Sequence, residues 1–382
     1  MRPHQRDFRV MVPVAAAILA ACLAVGGAVW MWVAGDEGVV SGSPPAAGSG
    51  LRDPRIHCAP QGEVQGDGAT SQQSPMTYWT TAYEQSCPGV DVAYRPSSSA
   101  GGVAAFLDGS ASFGGTDEAL SAQDAARSRA VCRGGRAVDV PVAGVAIAVV
   151  YHLKGVDSLV LNASTLAEIF DAAITRWDDP AIRALNPSAA LPDEPIRTVH
   201  RSDSSGTTYH FTRYLSAAAP RSWPHPAKQL WQGNGGTSAT DSDGLAATVG
   251  RYQGAVGYVD AAFATAHRLQ VAAIRTGPGT PVVPTVGAVS AGISGARVTG
   301  TGKDLALTLD YVPRSAGAYP IVMVTYDVVC ASGNEPAVLP ALKSFLSYTV
   351  GEAGQDLLHR VGYAPLPDTI AARARDVVAT LS

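Results

Sequence analysis

The sequence predicts an α/β protein with largely parallel sheets, and three observations carry that expectation. Strand-like and helical segments alternate along most of the chain. Residues 138–153, VDVPVAGVAIAVVYHL, form a β-type run too continuous for a strand with one wet face, so both faces should be covered. The 382 residues are 46% hydrophobic and 16% charged. That supports full cores in one large or two ordinary domains and excludes a disordered chain or a multi-span membrane protein.

The elements follow in order. GDGATSQQSPMTYW (66–79) has small residues before a helical stretch. VDVAYRP (90–96) alternates as a strand, and SSSAGGVAAFLDG opens a helix. ASFGGTDEAL (111–120) reads as a short strand and an acidic helix start, with Asp117 at the junction. NASTLAEIF (162–170) begins with cap residues and becomes helical. IRTVHR (196–201), GAVGYVD (254–260), LALTLDYVP (305–313) and YPIVMVTYDVVC (319–330) read as strands, and AVLPALKSFLSYTV (337–350) as an amphipathic helix.

The N-terminal 35 residues stand apart. Val10 to Gly35 carry no charge, and Arg2, Arg6 and Arg9 precede them. The run is long enough to span a bilayer, with the arginine side in the cytoplasm and the rest of the chain outside. A cleaved signal peptide is one alternative. A lipoprotein signal ending at Cys22 of LAAC is another. Each places the main body outside the cytoplasm, and residues 36–55, with VVSGSPPAAGSG at 39–50, read as a flexible tether. In an oxidising compartment Cys58, Cys87, Cys132 and Cys330 suggest disulfides. Three pairings are open; the local Cys58–Cys87 comes first, leaving Cys132 with Cys330. No spacing fits a zinc site. The net charge is −4, and outside the N-terminal run it is more negative, which argues against a nucleic-acid partner.

HRSDSSGTTYHF (200–211) is the chemically richest stretch. Read as strand, loop and helix, it puts Arg201, Ser205, Gly206 and Thr207 where unpaired backbone N–H groups and a partial positive charge meet. Small residues let an anion approach, Arg201 offers a two-pronged donor, and Asp203 would hold it in place. The stretches at 66–79 and 94–103 repeat the arrangement. Alone, each reads more readily as a turn with a helix cap than as a ligand site. Asp117 adds a carboxylate able to accept a hydrogen bond from a ligand's own hydroxyl.

Taken together, GDGATS, SSSAGGV, FGGTDEAL, AAITRWDDPAIRALNP, HRSDSSGTT, GLAATVGRYQGAVGYVD and the final GYAPLP resemble the phosphate-binding proteins of bacterial high-affinity phosphate ABC importers, from about residue 62 onward. The resemblance implies a two-lobed periplasmic-binding-protein-like fold (type II) with a hinge. Lobe I would take 56–142 and 318–382, and lobe II 143–317. It also implies a monomer that binds one phosphate through hydrogen bonds from Thr70, Ser71, Ser99, Asp117, Arg201, Ser205, Gly206 and Thr207, with Asp203 orienting Arg201. No cofactor or metal is implied; the partners are phosphate, ABC permease subunits and, through the N-terminal segment, the membrane. Ser71 stands where the family usually has an aromatic residue, and Ser204 where glycine is more usual. Ser98 competes with Ser99, whose spacing to Gly101 is the better match.

Two other classes use the same residues. A phosphate-ester hydrolase would take Ser205 as nucleophile with His200 or His210 as base and Asp203 as orienter. His200 neighbours Arg201 on a strand and should point to the opposite face. A surface sensor would bind phosphate without transporting it.

Overall fold

The computed structural model describes residues 53–277 and 279–382. The apolar run at 10–35, Cys22 and residues 36–52 lie outside them. Among the described residues no helix is long and apolar enough to cross a membrane.

The chain opens with β1 (Gly62–Gly68), a 3-10 turn (Thr70–Gln72), α1 (Gln73–Ser86), β2 (Val90–Pro96), α2 (Ser99–Leu107), β3 (Phe113–Thr116) and α3 (Ala122–Arg127). It continues through β4 (Ala137–His152), β5 (Val160–Asn162), α4 (Ala163–Phe170), α5 (Pro180–Leu185), β6 (Arg197–Arg201), α6 (Gly206–Ala218), β7 (Thr237–Ala239) and α7 (Asp241–Arg251). Then come β8 (Ala255–Asp260), α8 (Ala261–Ala266), β9 (Gln270–Val271), β10 (Ala273–Arg275), α9 (Val286–Ile293), β11 (Arg297–Val298) and β12 (Leu307–Thr308). β13 (Val322–Cys330), α10 (Leu339–Thr349), α11 (Glu352–Leu358) and α12 (Asp368–Ala379) complete it.

The main sheet has the order β2-β1-β3-β13-β4-β8-β6-β7, with β9 added to β4. Its wings are parallel: β1 pairs with β2 and β3, and β6 with β7 and β8. Its middle is antiparallel, so the expectation of a largely parallel sheet holds only outside the centre. The reason lies in β4. It crosses in one pass, pairing with β13 through Ala137–Ala146 and with β8 through Ile147–His152. β13 then brings the chain back alongside it, in the opposite direction. Both strands are buried on both faces, apart from half-buried His152 at the end of β4.

Pro141 sits inside this central strand although proline gives no N–H to a ladder. There the register slips. Thr325 faces Ala143 but Tyr326 faces Pro141, leaving Val142 as the extra residue. The Val142 carbonyl is satisfied from outside the sheet by Gln355 Nε2 at 2.8 Å.

Two local expectations are corrected. The helix after β3 starts at Ala122, capped by Ser121, and Asp117 lies in the bend before it. The bend is held instead by Asp139, whose carboxyl oxygens accept from Leu120 N at 3.1 and 3.2 Å. In 305–313 only Leu307–Thr308 pair as a strand, against β11. Side chains take several of the segment's N–H groups: Ala306 N donates to Asp304, Leu307 N to Tyr326 Oη and Val312 N to Asp310. The disulfides are Cys58–Cys87 and Cys132–Cys330, with Cα atoms 5.3 and 5.4 Å apart.

Candidate functional site

Five strand ends converge. β1 leads to Thr70, β2 to Ser99, β3 to Asp117, β6 ends on Arg201, and β7 leads to Ser242. In open α/β sheets the ligand cleft lies outside such carboxyl ends. Helices α1, α2, α6 and α7 start there, so their free N–H groups and positive dipole ends face one region. The segments touch directly: Thr70 Oγ1 lies 2.8 Å from Ser242 Oγ, and Gly206 N donates to Ser99 Oγ at 3.1 Å.

Arg201 is the fixed cation, 2% exposed. Its Nε donates to Asp203 Oδ1 at 2.6 Å, and Nη2 donates to Asp203 Oδ2. Nη1 donates to Ser242 Oγ at 3.0 Å. A guanidinium has five N–H donors. These bonds take three, leaving one hydrogen on each terminal nitrogen for an oxyanion. Asp203 also accepts from Asp241 N at 3.4 Å. Asp241 has φ 55°, in the left-handed region that Asp tolerates better than most residues, and Ser242 follows it on the first turn of α7.

Asp117, 1% exposed, stands at the end of β3. Its Oδ1 accepts from Ser71 Oγ at 2.5 Å, and its Oδ2 lies 3.5 Å from Ser99 Oγ. Burial pushes its carboxyl above the usual range; Ser71, Thr325, the Arg201 charge and Ser99 oppose that. Gly206 packs against it so tightly that a Cβ there would fall 2.5 Å from Asp117 Cβ and 2.6 Å from Ser99 Oγ. Only glycine lets the start of α6 approach Asp117 and Ser99 this closely. Ser205 caps α6, accepting from Thr208 N at 3.3 Å, and Thr207 is buried on its first turn. Ser98 is spent as the cap of α2, accepting from Gly101 N at 3.0 Å, while Ser99 faces Asp117 and Gly206.

The departures at 71 and 204 both acquire partners. Ser71, where the resemblance implies an aromatic residue, donates to Asp117. Ser204 Oγ donates to Gln229 Oε1 at 2.9 Å, and Gln229 Nε2 donates to Glu118 Oε2 at 2.8 Å, forming a polar chain at the rim.

Other side chains at the site gave little sign in the sequence. Ser242 sits in the polar stretch TSATDSDG (237–244) after a three-residue strand, and the one available signal is that this too is a strand–helix junction. His210 is fully buried between Asp117 O and Tyr311 Oη, each 2.6 Å away. Burial pushes its pKa down to about 4, so the ring is neutral, with Nε2 donating to the Asp117 carbonyl and Nδ1 accepting from Tyr311. Tyr258 Oη accepts from Arg201 N at 3.3 Å and lies 2.8 Å from Thr208 Oγ1. His200 points elsewhere, stacked on Trp231 with ring centroids 5.0 Å apart. Neither histidine bonds to Ser205. The assembled groups are donors around one carboxylate acceptor, suited to a tetrahedral oxyanion that retains a proton.

Fold and site together define a two-lobed ligand-binding protein. Residues 41–353 match the family described as PBP superfamily domain. The phosphate-binding protein PstS 3 of Mycobacterium tuberculosis (strain ATCC 25618 / H37Rv) is 39% identical over 359 residues, covering 93% of this chain and 96% of its own. PstS 2 of the same strain is 35% identical over 341 residues, covering 88% and 92%. The solved structure of a high-affinity periplasmic phosphate-binding protein, PfluDING, bound with phosphate, shares the fold with a TM-score of 0.68 and 22% identity, covering 82% of this chain and 93% of that one. The chain belongs to the PBP superfamily and, within it, to the family of these bacterial phosphate-binding proteins.

Proposed function

We propose that this protein captures inorganic phosphate outside the cytoplasm and delivers it to an ABC importer, acting as a monomeric binding protein without catalysis. The observation that carries this reading is the pairing of Arg201, with two uncommitted N–H groups, and Asp117, an acceptor, at the meeting point of four helix starts. The relatives' names as phosphate-binding proteins support the same ligand. In this reading Thr70, Ser71, Ser99, Asp117, Arg201, Ser205, Gly206 and Thr207 hold the anion and Asp203 orients Arg201. Lobe I comprises 56–142 with 318–382 and lobe II comprises 143–317. β4 and β13 act as crossing segments about which the lobes close, as in hinge-type closure. Calorimetric titration of the purified protein should give one phosphate per chain and no sulfate binding at the same pH and salt. Absence of phosphate binding overturns the reading.

The N-terminal segment would hold the body at the outer face of the membrane, through the apolar run 10–35 or through lipid on Cys22. Intact mass of the membrane-extracted protein should show either an unmodified chain or one beginning with acylated Cys22. A soluble form cleaved beyond residue 35 contradicts both.

A further inference from the structure

Behind the 3-10 turn lies a second buried polar group that touches no ligand position. Gln72, fully buried, uses both amide hydrogens: Nε2 donates to Thr325 Oγ1 at 2.7 Å and to Tyr326 O at 2.9 Å. Its Oε1 is buried without a partner, and so are Oδ1 and Oδ2 of Asp327. The sheet register brings these orphans together. Asp327 of β13 is the cross-strand partner of Gly115 of β3, so the two share a face. A Cβ on Gly115 would fall 2.5 Å from Gln72 Oε1. Three acceptors in one dry pocket have no donor among them, and buried polar groups of a folded protein are almost always paired. One proton on the carboxyl resolves the mismatch.

We infer that Asp327 is a positioning residue for the anion site: its carboxyl keeps its proton in the folded protein and donates to Gln72 Oε1, fixing the turn that presents Thr70 and Ser71. The inference rests on the phosphate reading of that turn. An ionised carboxylate here would be buried with no cation beside it, which is the expensive alternative. Burial pushes the Asp327 pKa up to about 8, with the adjacent Gln72 amide opposing. The titratable groups facing the pocket are Tyr94 of β2, driven well up by burial and by Asp327, Asp117 and Asp67, and Asp117 itself. The same turn is held from other sides by Tyr363 Oη, which donates to Ser71 O at 2.7 Å, and Tyr94 Oη, which donates to Ala69 O at 2.9 Å. β13 thereby links the crossing strand to the ligand loop.

The test compares the parent with Asp327→Asn, which keeps a donor and cannot ionise, and Asp327→Val, which keeps neither. A carboxyl whose folded pKa lies above its unfolded value holds a proton that the unfolded chain has lost. The parent therefore loses stability as pH rises from about 4 to about 8 and no further above that. In denaturant titrations from pH 5 to 9, the unfolding equilibrium constant of the parent relative to Asp327→Asn should rise by up to about tenfold per pH unit below 8, then level off. A ratio flat across pH 5–8 means an ionised Asp327, with water as the bridge, and overturns the inference. This arm needs no phosphate, so it stands apart from the ligand assignment. In the second arm Asp327→Asn should bind phosphate at least about fivefold more tightly than Asp327→Val, since only the former restores the donor to Gln72. Equal affinities in two folded variants overturn the positioning role. If the valine variant does not fold, the pH arm decides.

Discussion

Arg201→Lys should weaken phosphate binding by about 10- to 150-fold, the equivalent of one charge-assisted hydrogen bond of about 1.5–3 kcal/mol. The count of donors sets this expectation. Three of the five guanidinium N–H groups are already committed to Asp203 and Ser242, and two remain for the anion. Lysine has three donors on one nitrogen and cannot meet Asp203, Ser242 and two ligand oxygens together. Charge is retained, so the loss reports geometry. Arg201→Ala should lose more, because it also strips the partner from Asp203, whose carboxylate was held by the guanidinium. Calorimetry measures both variants, with near-ultraviolet circular dichroism confirming that each is folded. Phosphate affinity in folded Arg201→Ala within a factor of two of the parent would refute the assignment of Arg201.

Asp117→Asn should reduce the preference for phosphate over sulfate by about tenfold or more. Phosphate near neutral pH keeps a proton and can donate it to a carboxylate; sulfate has none. With Asp117 ionised in a buried cleft, sulfate sets acceptor against acceptor, and no water is at hand to relieve the pair. Ser71 already occupies Oδ1, so Oδ2 is the oxygen that would read the ligand's proton. Asparagine offers an amide hydrogen there and makes sulfate acceptable. Arsenate, which also retains a proton, should follow phosphate in the parent. The sign with pH is set by the raised carboxyl pKa: as pH falls through it, Asp117 gains a proton, stops accepting, and discrimination should fade. Parallel titrations with phosphate, arsenate and sulfate measure all of this. A parent that binds sulfate as tightly as phosphate removes the hypothesis, and an unchanged ratio in Asp117→Asn removes this residue from it.

What the sequence determined by itself is what short-range physics controls. The strand–helix junctions at 68–73, 96–99 and 201–206 were legible because helix caps, small residues and strand periodicity act within a few residues. Arg201 and Asp203, two residues apart, could likewise be paired on local grounds, and Cys58 with Cys87 on proximity in the chain. The doubly buried β4 was readable from its unbroken apolar character. Tertiary structure alone decided the rest. Ser242, 41 residues from Arg201, enters the site because β7 pairs with β6, and three residues of strand leave too weak a pattern to show it. His210 binds the carbonyl of a residue 93 positions away, and Gln72 meets Thr325 across 253. The antiparallel centre of the sheet depends on where β13 returns, which no periodicity encodes. The bend that carries Asp117 was misread as a helix start because Asp139, from another strand, takes the N–H of Leu120. A polar side chain in a sequence does not disclose its partner. Its hydrogen bonds are assigned when distant strands close over it and water is excluded.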